Sequence, residues 1–154
     1  MSRCEQHLQA LGLSLPAMHV PRGNFLSFTT SGNRLYLSGK GAPLRAPLEG
    51  PVPKVGREIS AEEASRHARD AGLSLIAVMK DALGDLDRVR RVIKVLGMVN
   101  AVPDFTSHTE VIDGCSNLLV EVFGDRGRHA RSAIGVGSLP KGFAVEIEAI
   151  VEFD

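Results

Sequence analysis

Two residues near the carboxyl end could act together on one small molecule. Arg131 leads the run "RSAIGV", and Glu146 follows fifteen positions later in "FAVEIEAIVEF". A guanidinium fork grips a substrate carboxylate through two hydrogen bonds, while a carboxylate can accept a proton from water. Both would otherwise be solvated strand-end charges, which is what most such residues are. The pair becomes a site only if adjacent strands bring the side chains together beside a concave wall.

Other candidates carry less. "SGKG", Ser38 to Gly41, approaches a phosphate-binding loop, but it lacks the earlier glycine and has Gly41 where Ser or Thr is needed. It reads as a strand end turning sharply, whose glycines still let a ligand come close to the backbone. The histidines (His7, His19, His67, His108, His129) show no pairing at metal-ligand offsets, so metal binding is not expected. His67, on a long helix, and His108, at a helix start, read as surface or capping residues. Arg126, Arg128, His129 and Arg131 could meet a phosphate, but positive charge after a helix carboxyl end is favourable in itself.

The composition narrows the partners. Eighteen basic and eighteen acidic side chains cancel, which weighs against a polyanion-coating surface and so against extended nucleic-acid binding. With 44% hydrophobic and 23% charged residues, the chain has the make-up of an ordinary globular protein. Its 154 residues suffice for one domain with a real core. Cys4 and Cys115 are far apart and in no metal-ligand spacing, so two free thiols in a reducing compartment are expected. The amino terminus "MSRCEQHLQALGL" lacks the basic head and apolar stretch of a signal peptide, and no apolar run is long enough to span a bilayer. A cytoplasmic location is the expectation.

The elements that must position these residues follow from periodicity. Ser2 and Glu5 have capping-box spacing, with Leu8 and Leu11 on one face of a short helix ending at Gly12. "NFLSFTTSGNRLYLSGKG" reads as a hairpin turning at Ser31-Gly32-Asn33. Gly41 to Glu58, with Pro43, Pro47, Pro51 and Pro53, reads as a loop. Ser60 and Glu63 open a strong helix whose stripe is Ala64, Ala68, Ala71, Leu75, Val78, Met79 and Ala82, stopped by Gly84. "RVRRVIKVLGMVN" reads as a strand. Ser107 and Glu110 repeat the capping-box spacing before a helix with Val111, Cys115, Leu118, Leu119 and Val122 inward. Two strands follow the polar turn "GDRGRHAR". In the last, Phe143, Val145, Ile147, Ala149, Val151 and Phe153 share one face; Glu146, Glu148 and Glu152 take the other with Ala144 and Ile150.

The order ββ–α–β–α–ββ implies an α+β sandwich, with two helices on one face of a mostly antiparallel sheet. The other face, carrying Ile150, Ala144, Ala133 and part of the strand from Val89 to Val99, is left for solvent or a subunit contact.

Several of these stretches resemble the RidA/YjgF family, also called the endoribonuclease L-PSP or translation-inhibitor family. "ARSAIGVGSLPKGFAVEIEAIV" is similar to its signature of an Arg-Ser pair, a strand, Leu-Pro and a Val-Glu-Ile-Glu strand. "LYLSGKG" is similar to its strand ending in Ser-Gly, and "VIDGCSNLLVEVFG" resembles its second helix. The resemblance runs from about Gly23 onward. The leading helix with "LGLSLP" and the longer connector before the second helix look like a longer subgroup. The chain is thus expected to be one RidA-like domain over residues 1–154, with residues 1–20 a helical extension.

The resemblance implies a chorismate-mutase-like fold, a homotrimer with ligand sites between subunits, and no metal or organic cofactor. It also implies hydrolysis of small carboxylate-bearing enamines or imines to 2-oxo acids and ammonia. By the same resemblance Arg131 is the carboxylate clamp and Glu146 positions or activates water, with Ser38 and Gly39 lining the pocket. Three positions depart: Phe25 stands where tyrosine is usual, Ala133 replaces a cysteine, and Asp113 replaces an asparagine. These changes imply a shifted substrate preference, because a lost hydroxyl removes a contact worth on the order of 1 kcal/mol and Asp113 adds negative charge. Two rival functions remain open: a non-catalytic small-carboxylate binder or regulatory module, and an endoribonuclease or translation inhibitor.

Overall fold

The computed structural model describes residues 2–44 and 48–154; Met1 and Pro47, which belong to segments interpreted above, lie outside them. The elements are α1 (Arg3–Ala10), β1 (Phe28–Ser31), β2 (Arg34–Gly41), α2 (Ala61–Leu83), β3 (Val89–Asn100), α3 (His108–Phe123), β4 (Ala130–Val136) and β5 (Val145–Phe153). Short 3-10 turns occupy Leu86–Arg88, Gly124–Gly127 and Pro140–Gly142. The five strands form one sheet in the order β1-β2-β5-β3-β4. All neighbours are antiparallel except β3 and β4, which are parallel. The α+β sandwich expected from periodicity is the fold found, with the three helices packed on the sheet.

Local signals explain most of the boundaries. Ser2 and Glu5 close a full capping box on α1. The Ser60 hydroxyl accepts the Glu63 amide at the start of α2, and Gly84 ends that helix in the left-handed conformation that glycine adopts without strain. Ser107 precedes α3, but its side chain makes no capping bond. The second capping box is therefore absent: the spacing is present, but its φ of −95° and ψ of 38° leave the extended region from which a hydroxyl reaches the helix amides.

The core lies between sheet and helices. Leu35 and Leu37 of β2, Val92, Val95 and Val99 of β3, and Val145, Ile147, Ala149 and Val151 of β5 are buried on the helix side. They meet α2 residues of the expected stripe and α3 residues Val111, Cys115, Leu118 and Leu119. Cys4 and Leu8 bring α1 into the same core.

Three side chains depart from expectation. His67 is 2% exposed, part of the helix interior and not of its surface. Ala144 is fully buried because it precedes the strand proper: β5 begins at Val145. Ala133 lies on the helix side of β4, since its partner in the ladder is Gly97, which sits under Ile112 of α3. The loop before α2 is mostly irregular, yet Val55 within it is fully buried and bridges both Ile59 and Ala101. Both cysteines are buried free thiols. Among the described residues no helix is long and apolar enough to cross a membrane.

Candidate functional site

The residues singled out by sequence fall into two groups on two different surfaces. Glu146 pairs with Met98 in the β3–β5 ladder, and Glu148 pairs with Leu96, so both carboxylates stand on the face without helices. Arg131 pairs with Val95, which is buried under the helices, so Arg131 points to the helix side. β4 and β5 are not neighbours, because β3 lies between them. The expectation that adjacent strands would join Arg131 and Glu146 is therefore not met within one chain. By strand spacing and rise they are about 10 Å apart across the sheet and about 10 Å along it, on opposite faces.

The first group surrounds Glu146. Its carboxylate lies over Gly39: a Cβ built there would come within 2.9 Å of the carboxyl carbon and of one oxygen. Gly39 is thus required for close approach. Among the described residues, none makes a hydrogen bond or ion pair with the Glu146 carboxylate, and Glu146 is half-buried. Beside it, Phe25, Ser38, Tyr36 and Glu148 line an open groove of about 440 Å³. Phe25 is 57% exposed, a large apolar ring facing solvent. The Ser38 hydroxyl donates to the Leu26 carbonyl at 2.6 Å, and the Ser38 amide donates to the Ser27 carbonyl at 2.9 Å. Ser38 therefore holds in place the segment that carries Phe25.

The second group surrounds Arg131 at the free edge of the sheet. Arg131 Nη1 donates to Asp113 Oδ1 at 2.8 Å and to Ser116 Oγ at 3.0 Å; Nη2 makes only a long contact, 3.5 Å, to the Thr109 carbonyl. Asp113 and Ser116 are three residues apart on α3 and so share one helix face. His129 completes the cluster. Its Nδ1 lies 2.6 Å from the Gly127 carbonyl, an acceptor only, so Nδ1 carries the proton and Nε2 accepts from Ser116 Oγ at 2.9 Å. Burial holds the His129 pKa below its ordinary value, and the positive charge of Arg131 acts in the same direction, against the Gly127 hydrogen bond that raises it. Ala133 lies next to this group and packs against the core edge.

Ser116, Thr109 and Glu148 were not assigned to a site by sequence reasoning, and His129 was weighed only as a member of a phosphate-meeting cluster. The signal for Ser116 was its three-residue offset from Asp113; that for Glu148 was its place one alternation beyond Glu146. Of the four residues read as able to meet a phosphate, His129 and Arg131 stay together through Ser116, while Arg126 and Arg128 are engaged elsewhere. Arg126 donates to the Asp87 and Val89 carbonyls and to Cys4 Sγ, fastening α1 to the sheet, and Arg128 pairs with Asp125. Cys115, near Arg131, is fully buried, and burial pushes its thiol up to about 12.

The Arg131 surface offers a cation with spare donor capacity, and the Glu146 surface offers a carboxylate beside a groove.

A family model described as "YjgF/chorismate_mutase-like, putative endoribonuclease" matches residues 5–144. The chain is 41% identical over 153 residues to Protein TCP17 of Trypanosoma cruzi, spanning 99% of this chain and 95% of that protein. Among solved structures, Atu1372 of Agrobacterium tumefaciens, a protein with unknown function, is 44% identical with a TM-score of 0.85, covering 98% of this chain and 94% of that one. A "putative endoribonuclease" of Shewanella oneidensis has a TM-score of 0.89 at 29% identity, covering 97% and 99%.

Proposed function

Since this chain belongs to the YjgF/chorismate mutase-like family, the family of RidA, we propose that it hydrolyses small carboxylate-bearing imines and enamines at clefts between subunits of a homotrimer. The observation that carries this reading is the division of the site residues into two sets. Arg131, Asp113 and Ala133 stand at the β4 edge, while Phe25, Ser38, Gly39 and Glu146 stand on the open sheet face. The open face also exposes apolar side chains, Tyr36 at 37% and Ile134 at 46%, as a surface covered by a second copy would. Assembly sets the Arg131 of one subunit opposite the Glu146 of the next.

The chemistry asks little of such a cleft. Arg131 holds the substrate carboxylate. Water held by Glu146 adds to the C=N carbon as the carboxylate takes its proton and the π electrons move to nitrogen. The resulting carbinolamine collapses: Glu146 returns its proton to nitrogen, the C–N bond breaks as an oxygen lone pair forms the carbonyl, the hydroxyl proton passes to Glu146, and a 2-oxo acid and ammonia leave. Because an imine is already electrophilic, positioning and one proton-transfer group suffice. Balanced net charge weighs against the endoribonuclease that the family description names.

Ammonia release from freshly generated imino acids tests the proposal. Wild type is expected to accelerate it, and Arg131→Ala and Glu146→Ala to lose at least about a hundredfold in kcat/KM. Light scattering is expected to give three copies per particle. Binding of 2-oxo acids without turnover would leave a carboxylate-binding module instead. RNA cleavage that survives purification and vanishes in Arg131→Ala would favour the nuclease.

A further inference from the structure

The carboxylate clamp is not vacant: it already holds a carboxylate from its own chain. Asp113 Oδ1 takes one arm of Arg131 at 2.8 Å, and Ser116 shares that arm. The second arm, Nη2, has only the 3.5 Å contact with the Thr109 carbonyl and retains donor capacity. The Arg131 side chain is 18% exposed and that of Asp113 45% exposed, so the acid is the more open partner. No hydrogen bond from the described residues reaches Asp113 Oδ2. A ligand arriving here meets a free N–H donor and a free carboxylate oxygen side by side, within one ion pair.

We propose that Asp113 sets the charge preference of this clamp, selecting ligands with a cation beside the carboxylate, namely 2-imino acids in their iminium form, over the 2-oxo acids formed from them. The inference rests on the reading of Arg131 as the carboxylate clamp. The ligand carboxylate bonds Nη2, and the adjacent C=NH2+ donates to Asp113 Oδ2. A 2-oxo acid offers the same carboxylate but puts a carbonyl oxygen where that donor stood, so two acceptors face each other with no hydrogen between them. Its charge also meets an arginine whose field Asp113 has largely cancelled. The same contact favours the protonated and more electrophilic form of the substrate, and it disfavours retention of the product.

Calorimetric titration with pyruvate and L-alanine tests this, the two having the same carbon skeleton with a carbonyl in one and an ammonium in the other. Wild type is expected to bind L-alanine more tightly than pyruvate. Asp113→Asn is expected to bind pyruvate about tenfold more tightly than wild type does and to lose the preference for L-alanine, whereas Asp113→Glu, which keeps the charge, is expected to retain it. Circular dichroism confirms that each variant is folded. An unchanged ratio of the two affinities in Asp113→Asn, with both ligands still lost in Arg131→Ala, overturns the role of Asp113 and leaves the clamp standing. Failure of wild type to bind either ligand, or binding indifferent to Arg131→Ala, overturns the clamp and this inference with it.

Discussion

At the scale of single residues, Glu146 depends on what is missing beneath it. Gly39 has no side chain, and the carboxylate occupies the space a methyl group would take. Gly39→Ala is expected to push the carboxylate aside by roughly an ångström and to lower kcat/KM for imine hydrolysis by about a hundredfold. The melting temperature should change little, because a half-buried side chain can swing toward solvent. Steady-state kinetics beside thermal unfolding check this; unaltered kinetics would show that Glu146 need not rest where it does. Residue identities in this region were legible in the sequence, but their surroundings were not. Arg131 and Glu146 stood out by type, yet which face each points to is decided by ladder partners, Val95 and Met98, that lie more than thirty residues away in the chain.

Among the elements, local pattern and distant docking contributed differently. Helix α2 was legible from its cap, its stripe and Gly84, since all three are fixed by neighbours within a few positions. The crossing of α2 over α3 was not. It requires Gly114, where a Cβ would lie 2.0 Å from the Ser65 carbonyl oxygen, and nothing near Gly114 in sequence announces that approach. Strand order was hidden for the same reason: β3 enters between β5 and β4 only once the sheet closes.

Helix α1 is fastened by a residue remote from it. Asp87 accepts the backbone amides of Arg3 at 2.9 Å and Cys4 at 3.0 Å, supplying a second cap to orphan donors of the first turn. The Arg3 amide bond leads the causes that bring the Asp87 pKa from 3.8 down to about 2. A carboxylate with a depressed folded pKa stabilises the fold fully above its unfolded value, and that contribution disappears as pH falls through the folded one. Asp87→Ala is accordingly expected to cost about 1 kcal/mol near neutrality. It should also flatten the decline in stability between pH 4 and pH 2, followed by urea unfolding at each pH. An unchanged acid profile would mean that α1 is held without Asp87, by Cys4 and Leu8 packing, the Arg126 bond to Cys4 and the Glu5–Lys80 ion pair.

The whole molecule shows one sheet with two unlike sides. Helices cover one side, and the Arg131 cluster sits at its margin. The other side carries Glu146, Glu148 and a groove beneath Phe25. Pattern alone predicted an open face, because alternating apolar and charged residues on β5 need two environments. It placed Ala133 and Ala144 there wrongly, since Ala144 is fully buried and Ala133, half-buried, stands on the helix side of β4.

The placement of cation and acid on opposite sides of a single chain has a genetic consequence. In the assembly proposed above, neither partner of a contact needs to be intact in every copy. Chains carrying Arg131→Ala and chains carrying Glu146→Ala, each inert when purified alone, should recover activity when unfolded together and refolded as hybrids. At equal mixing, about a quarter of the junctions in a closed ring would pair a sound arginine with a sound glutamate. Recovered turnover near that fraction would reveal complementation between two defective copies, and its absence would show that the two groups do not meet across a junction.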